Sequence, residues 1–178
     1  LVQPHFVVSG KGVNEQIPGI PGINRQSSDV LIKQISDDLS IGITSHMIFG
    51  VLEDHNKDEN GTSAADDQMP LQQTVRKLKE KFGDQIVVMT DSFLCTSTDH
   101  GHCGLVQDGV IVNDDSVDML VKISLSHANS GAEYVCLSDM MDGRVRSVRR
   151  AFEEKGMRST GVLSYSVKYA SSFYGPFR

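Results

Sequence analysis

Residues 164–178 read Ser164-Tyr165-Ser166-Val167-Lys168-Tyr169-Ala170-Ser171-Ser172-Phe173-Tyr174-Gly175-Pro176-Phe177-Arg178. Lys168 is the only lysine in this run of small and aromatic side chains, which follows the apolar pair Val162-Leu163. An amine held at a strand end in a partly dry pocket loses its proton more easily than one in water, and the free amine can attack a carbonyl carbon. The plain alternative is a surface lysine in a loop, since lysines are mostly exposed.

Working outward, the chain alternates short apolar runs with longer amphipathic ones. Strands are expected at 1–8, 43–49, 86–89, 134–137 and 162–166. Between them, Ser27 and Ser28 are candidate caps for a helix carrying Val30, Leu31, Ile35 and Leu39 and ending near Gly42. Leu71, Val75, Leu78 and Phe82 have the three-to-four spacing of a helix face. Asp114 or Asp115 caps a third helix running to about Ser130, and a fourth covers 141–155 with Gly156 as its stop. The glycine- and proline-rich segment 10–22 and the polar segment 53–68 read as loops, and 104–113 as a hairpin turning at Asp108-Gly109. Such alternation implies parallel β/α units. Polar residues of chemical interest follow the third, fourth and fifth strands, which fits an eight-stranded barrel and a doubly wound sheet alike. No glycine-rich phosphate fingerprint follows the first strand, which weakens the nucleotide-binding sheet.

With 178 residues, 39% of them hydrophobic and 22% charged, the composition is that of one soluble globular domain or a large piece of one. The net charge is -6, and the one basic cluster, Arg144, Arg146, Arg149 and Arg150, has helical spacing and reads as a solvated helix face. Nucleic acid is therefore not the expected partner. No apolar run approaches the roughly 20 residues of a membrane span and no signal-peptide pattern opens the chain, so a soluble cytoplasmic protein is expected. The chain begins directly on a strand, which reads as a trimmed start. Three cysteines, Cys95, Cys103 and Cys136, are too few and too odd in number for a disulfide framework, leaving reduced thiols or metal ligands.

Cys95, His100, His102 and Cys103 fall within nine residues. Thiolate and imidazole at that density suit zinc, and a site with three protein ligands leaves a position for water or substrate. The alternative is two small buried thiols beside two polar loop histidines. Asp91 stands at the carboxyl end of the third strand, and Ser138-Asp139-Met140-Met141-Asp142-Gly143-Arg144 follows the fourth. Asp139 and Asp142 read equally as site carboxylates or as caps of the next helix.

The Lys168 segment closely resembles the Schiff-base segment of the porphobilinogen synthases, also called 5-aminolevulinate dehydratases. Segments 57–66, 91–104, 113–115 and 126–146 resemble that family too, so the likeness covers nearly the whole chain. It implies an α/β fold, a partial TIM (β/α)8 barrel with about the first five β/α units in a single incomplete domain at 1–178. It further implies condensation of two 5-aminolevulinate molecules to porphobilinogen through an imine on Lys168, in tetrapyrrole synthesis. Asp91 matches an active-site aspartate, Ser138 a substrate-binding serine, and Arg178 an arginine that binds a substrate carboxylate. Tyr174 and Phe177 would form apolar pocket wall. In zinc-using members the loop carries three cysteines; Cys95 and Cys103 match two of them, and Phe93 stands where the first belongs. His102 aligns with a histidine beside that zinc and would complete a Cys-Cys-His set. The family's second Schiff-base lysine has no matching motif here, so these residues alone are expected to be inactive, and the family assembles as homo-octamers. Two other readings stay open: a class I aldolase-like lyase, and a non-catalytic metal-binding paralogue.

Overall fold

A computed structural model describes residues 1–169; Tyr174, Phe177 and Arg178 lie outside the described residues. The strands are β1 (Val2–Val8), β2 (Asn14–Gln16), β3 (Asn24–Ser27), β4 (Ser45–Gly50), β5 (Val87–Ser92), β6 (Leu105–Gln107), β7 (Val110–Val112), β8 (Tyr134–Leu137) and β9 (Gly161–Ser164). The helices are α1 (Ser28–Ser40), α2 (Pro70–Phe82), α3 (Asn113–Asn129) and α4 (Arg144–Glu154). Seven strands form one sheet in the order β2-β3-β1-β4-β5-β8-β9. Within it β1, β4, β5, β8 and β9 are successive parallel neighbours, each of the first four followed by a helix before the next begins. The five expected strands are thus present in barrel order with four helices between them.

Helix placement follows from apolar spacing. Leu31 and Ile35 on α1, with Val75 and Leu78 on α2, are fully buried against Val7, Ile48 and Val88 of the sheet. Further along, Val148 and Phe152 on α4 close over Val135 and Leu137. Burying one such side chain stabilises the fold by roughly 1.5–3 kcal/mol, so these layers supply most of the drive to fold.

The structure departs from the sequence expectations in five places. Segment 10–22 is not all loop, because β2 and β3 pair antiparallel and β3 then lies parallel to the outer edge of β1. Their polar composition, Asn-Glu-Gln and Asn-Arg-Gln-Ser, hid them. Ser27 occupies the N-cap of α1 without a capping bond; its Oγ accepts from Val13 N (2.9 Å) and donates to Asp29 Oδ1 (2.6 Å), tying the hairpin to the helix. In α3 the cap position is Val112, and Asp114 and Asp115 sit inside the first turn, where carboxylates favour the helix dipole. Finally, α4 starts at Arg144 and not at 141, since Gly143 takes a left-handed φ of 78°. Nor are all its arginines solvated. Arg144 Nη1 donates to Met141 O (2.9 Å), and Arg149 donates to Thr160 O (2.6 Å) and Met157 O (3.1 Å), so these two brace the loops around α4.

Among the described residues the sheet is open, with β9 at one edge and β2 at the other. Val167 and Tyr169 beyond β9, and Met140 beyond β8, are exposed apolar side chains on that side. Exposed edges and apolar surface are templates for pairing between chains. A polypeptide of these 178 residues is therefore expected to self-associate or to melt over a broad range. Thermal unfolding by circular dichroism, with sedimentation to fix the mass, checks this; a sharp transition from a monomer would show a self-sufficient unit.

Candidate active site

The site forms where register brings three strand ends together. In β5 an apolar start gives way to Thr90-Asp91-Ser92, all buried. Asp91 lies opposite Cys136 of β8, which lies opposite Leu163 of β9. One residue past β8, Ser138 N donates to Ser92 O (3.3 Å), which holds the Ser138 side chain beside Asp91. Ser138 Oγ donates to Asp91 Oδ2 at 2.9 Å. Past β9, Tyr165 N donates to Leu137 O (3.1 Å), and the chain then carries Lys168 back so that its Nζ donates to the Ser138 carbonyl. Ser138 therefore touches both Lys168 and Asp91, through its carbonyl and its hydroxyl.

The environment of Lys168 differs from the expected dry pocket. The residue is exposed, with its ammonium 5.6 Å from the centroid of the Tyr165 ring, whose hydroxyl lies 3.1 Å from Met47 Sδ. Asp91 is strongly perturbed by its surroundings. Burial pushes its carboxyl up to about 7; the Ser138 hydrogen bond and the Lys168 charge oppose that rise, while Asp139 and Cys103 add to it. Its Oδ1 has no hydrogen-bond partner among the described residues. An aspartate so placed changes protonation near neutral pH, as a proton-transfer group requires.

Asp139 is buried too, and burial raises its carboxyl above the ordinary value against the Met141 N–H (2.8 Å) and the Arg144 guanidinium (3.3 Å). Those contacts put Asp139 in the turn before α4, while its Oδ2 has no hydrogen-bond partner among the described residues. Asp142 makes no such cap; its N–H donates to Asn113 Oδ1 (2.8 Å). Beside Asp91 is a cavity of about 40 Å³ lined also by Phe93, Thr96, Ser97, Ile123 and His127. It has room for ordered water but not for a substrate.

Cys95 and Cys103 lie thiol to thiol. Their mutual hydrogen bond, then burial, pushes the Cys95 thiol above its ordinary value. His102 does not join them in a compact ligand set. It is exposed, its N–H donates to His100 Nδ1 (3.1 Å), its carbonyl accepts from Thr98 Oγ1 (3.0 Å), and the two imidazoles lie 5.3 Å apart. The loop thus fits a pair of thiolate ligands, with Phe93 adding no donor. Among the described residues one trio of potential ligand atoms lies mutually within 4.8 Å, and it is His5, Asp38 and His46. The sequence reading missed these three. Their available signal was a histidine at the inward phase of each of two strands.

Parallel β/α units whose strands follow one another in chain order, β1-β4-β5-β8-β9, fit part of a β/α barrel, and lysine, serine and aspartate gather at the strands' carboxyl ends, the face where barrel sites lie. The family model for delta-aminolevulinic acid dehydratase matches residues 1–178. Among curated proteins, the delta-aminolevulinic acid dehydratase of Bacillus subtilis is 41% identical over 178 residues, and that of Methanothermobacter thermautotrophicus 47% over 180. Each alignment covers 100% of this chain and 54% of the relative, so the chain spans about half their length. A crystal structure of the Toxoplasma gondii delta-aminolevulinic acid dehydratase (porphobilinogen synthase), in complex with its reaction product porphobilinogen, superposes with a TM-score of 0.95 at 38% identity, covering 99% of this chain and 50% of that one. The chain belongs to the delta-aminolevulinic acid dehydratase family. None of its helices, among the described residues, is long and apolar enough to cross a membrane.

Proposed function

We propose that this chain supplies the first Schiff-base half of a porphobilinogen synthase, a hydro-lyase that condenses two 5-aminolevulinate molecules in the cytoplasm. The observation that carries the reading is the bridge from Lys168 through Ser138 to Asp91. The 178 residues would form one unit, the opening part of the barrel domain, and the whole protein would be a homo-octamer as in the family.

In this reading the Lys168 lone pair attacks the ketone carbon of one 5-aminolevulinate. A carbinolamine forms, and loss of water leaves an imine. The ketone oxygen departs as that water, carrying with it the amine's two protons, which nearby groups relay from nitrogen to oxygen. The Ser138 carbonyl orients Nζ by accepting from it. Asp91, poised near neutrality and linked to Ser138 Oγ, holds or releases a proton beside the substrate. Arg178 would bind the substrate carboxylate with its planar fork of donors, and Tyr174 and Phe177 would wall the pocket. Colorimetric assay of porphobilinogen from 5-aminolevulinate, using the protein that carries this chain, tests the function. Product formation supports it, and its absence in that protein contradicts it.

Cys95 and Cys103 would anchor a zinc ion, which supplies Lewis acidity when bound. With two thiolates and no third donor at position 93, binding should be weaker than at a three-thiolate site. Phe93→Cys is expected to tighten zinc by about tenfold or more, and the affinity of both forms should weaken as the pH is lowered because ligand thiols must lose their protons. Competition against a chelator measures it; equal affinities would mean that position 93 does not face the metal.

A further inference from the structure

On the opposite face of the sheet from Asp91, His5 and His46 project toward α1. Gln3 pairs with His46 and His5 with Ile48, so the two imidazoles are diagonal neighbours on the face that also carries Val7 and Ile48. His46 is level with Val88 of β5, three residues before Asp91 and of opposite side-chain phase. Asp38, from the last turns of α1, completes the group.

His5 Nε2 lies 3.0 Å from His46 Nδ1, and Asp38 Oδ2 lies 3.6 Å from the first and 3.8 Å from the second. The three residues are 5%, 0% and 6% exposed in the order His5, His46, Asp38. Gln34 Nε2 donates to Asp38 Oδ1 (2.9 Å), but Oδ2, which faces both imidazoles, has no hydrogen-bond partner among the described residues. A buried carboxylate oxygen without a donor leaves its desolvation uncompensated. Two nitrogens at 3.0 Å share at most one proton, so this pocket presents more lone pairs than hydrogens. An ion equidistant from these three atoms would sit about 2.0 Å from each, the length of zinc bonds to imidazole nitrogen and carboxylate oxygen.

We propose that His5, His46 and Asp38 form a structural binding site for a divalent transition-metal ion of the zinc type, separate from the Cys95–Cys103 pair. The donor set, two imidazoles and one carboxylate without sulfur, suits zinc, cobalt or nickel in preference to magnesium or calcium. The ion fastens α1 to β1 and β4 at the base of the sheet. It meets no substrate there, because the ligands are packed between helix and sheet on the far face from Lys168. Entry is from the rim, where His5 and Asp38 keep their residual exposure.

The test uses the full chain carrying Cys95→Ser and Cys103→Ser, which removes the thiol pair, with cobalt(II) and zinc(II) as probes. One equivalent should bind, with cobalt visible bands of a low-coordinate nitrogen and oxygen site and no thiolate charge-transfer absorption. Adding Asp38→Asn, which preserves shape, should weaken binding about a hundredfold while far-ultraviolet circular dichroism stays unchanged. Zinc-edge X-ray absorption on the protein with His5, Asp38 and His46 intact gives an answer independent of that variant's folding. A shell of nitrogen and oxygen near 2.0 Å supports the site. Failure to retain metal without the two cysteines, a sulfur shell, or equal affinity after Asp38→Asn in a folded protein would overturn it.

Discussion

Lys168→Ala is expected to abolish porphobilinogen formation, lowering turnover by about four to six orders of magnitude, because it removes the amine that forms the imine in this reading. Lys168→Arg should be as inactive, since a guanidinium stays protonated and offers no lone pair for attack. The side chain is exposed and its recorded partners are the Ser138 carbonyl and the Tyr165 ring. Neither variant should therefore disturb the core, and unchanged thermal unfolding alongside lost turnover separates chemistry from folding. Steady-state assay of purified variants measures the effect. Residual activity within tenfold of the parent would remove Lys168 from the mechanism.

Asp91→Asn is the second large effect. Proton transfer by a positioned side chain typically contributes about 10²- to 10⁴-fold, and turnover should fall within that range. The pH profile is the sharper readout. Burial raises the Asp91 carboxyl to about 7, so kcat/KM should climb with pH through that value as the carboxylate forms, and Asp91→Asn should erase this acidic limb. Stability should move the other way. A carboxyl raised in the folded state keeps its proton between its unfolded value, 3.8, and about 7, while the unfolded chain loses it; the native state is therefore progressively destabilised as pH rises across that window. Asn cannot ionise, so the variant should be more stable than the parent at pH 8, by up to about 4 kcal/mol, and equal to it near pH 4. Denaturant titrations at the two pH values check the sign. Equal stability at both would mean that Asp91 is solvated and no longer suited to its assigned role.

The fold was legible where physics acts locally. Ile86-Val87-Val88-Met89 is too apolar for a loop and too short for a helix, and the periodic Leu71, Val75, Leu78 and Phe82 fix the face of α2 without tertiary information. Polar β2 and β3 carry no such signal, because their pairing is set by the edge of β1 and not by their own side chains. At the site, Asp91, Ser138 and Lys168 were identifiable one by one, but their contact depends on the pairing of Asp91 with Cys136 and Cys136 with Leu163. No local pattern encodes that register. The exposed position of Lys168 and the outward His102 reflect loop conformations after β9 and β5; at His102 the path is held by side chain–backbone bonds from Thr98 Oγ1 and to His100 Nδ1. His5 and His46 were visible as histidines within apolar strands, yet nothing local places Asp38 from α1 between them.

The central claim is that Lys168 carries the covalent bond to substrate. Reduction with borohydride in the presence of 5-aminolevulinate converts an imine to a stable secondary amine, and peptide mass mapping locates it. The account predicts an adduct on the peptide containing Lys168, absent when substrate or borohydride is omitted. An adduct that never includes Lys168, formed while the protein turns over, would contradict it.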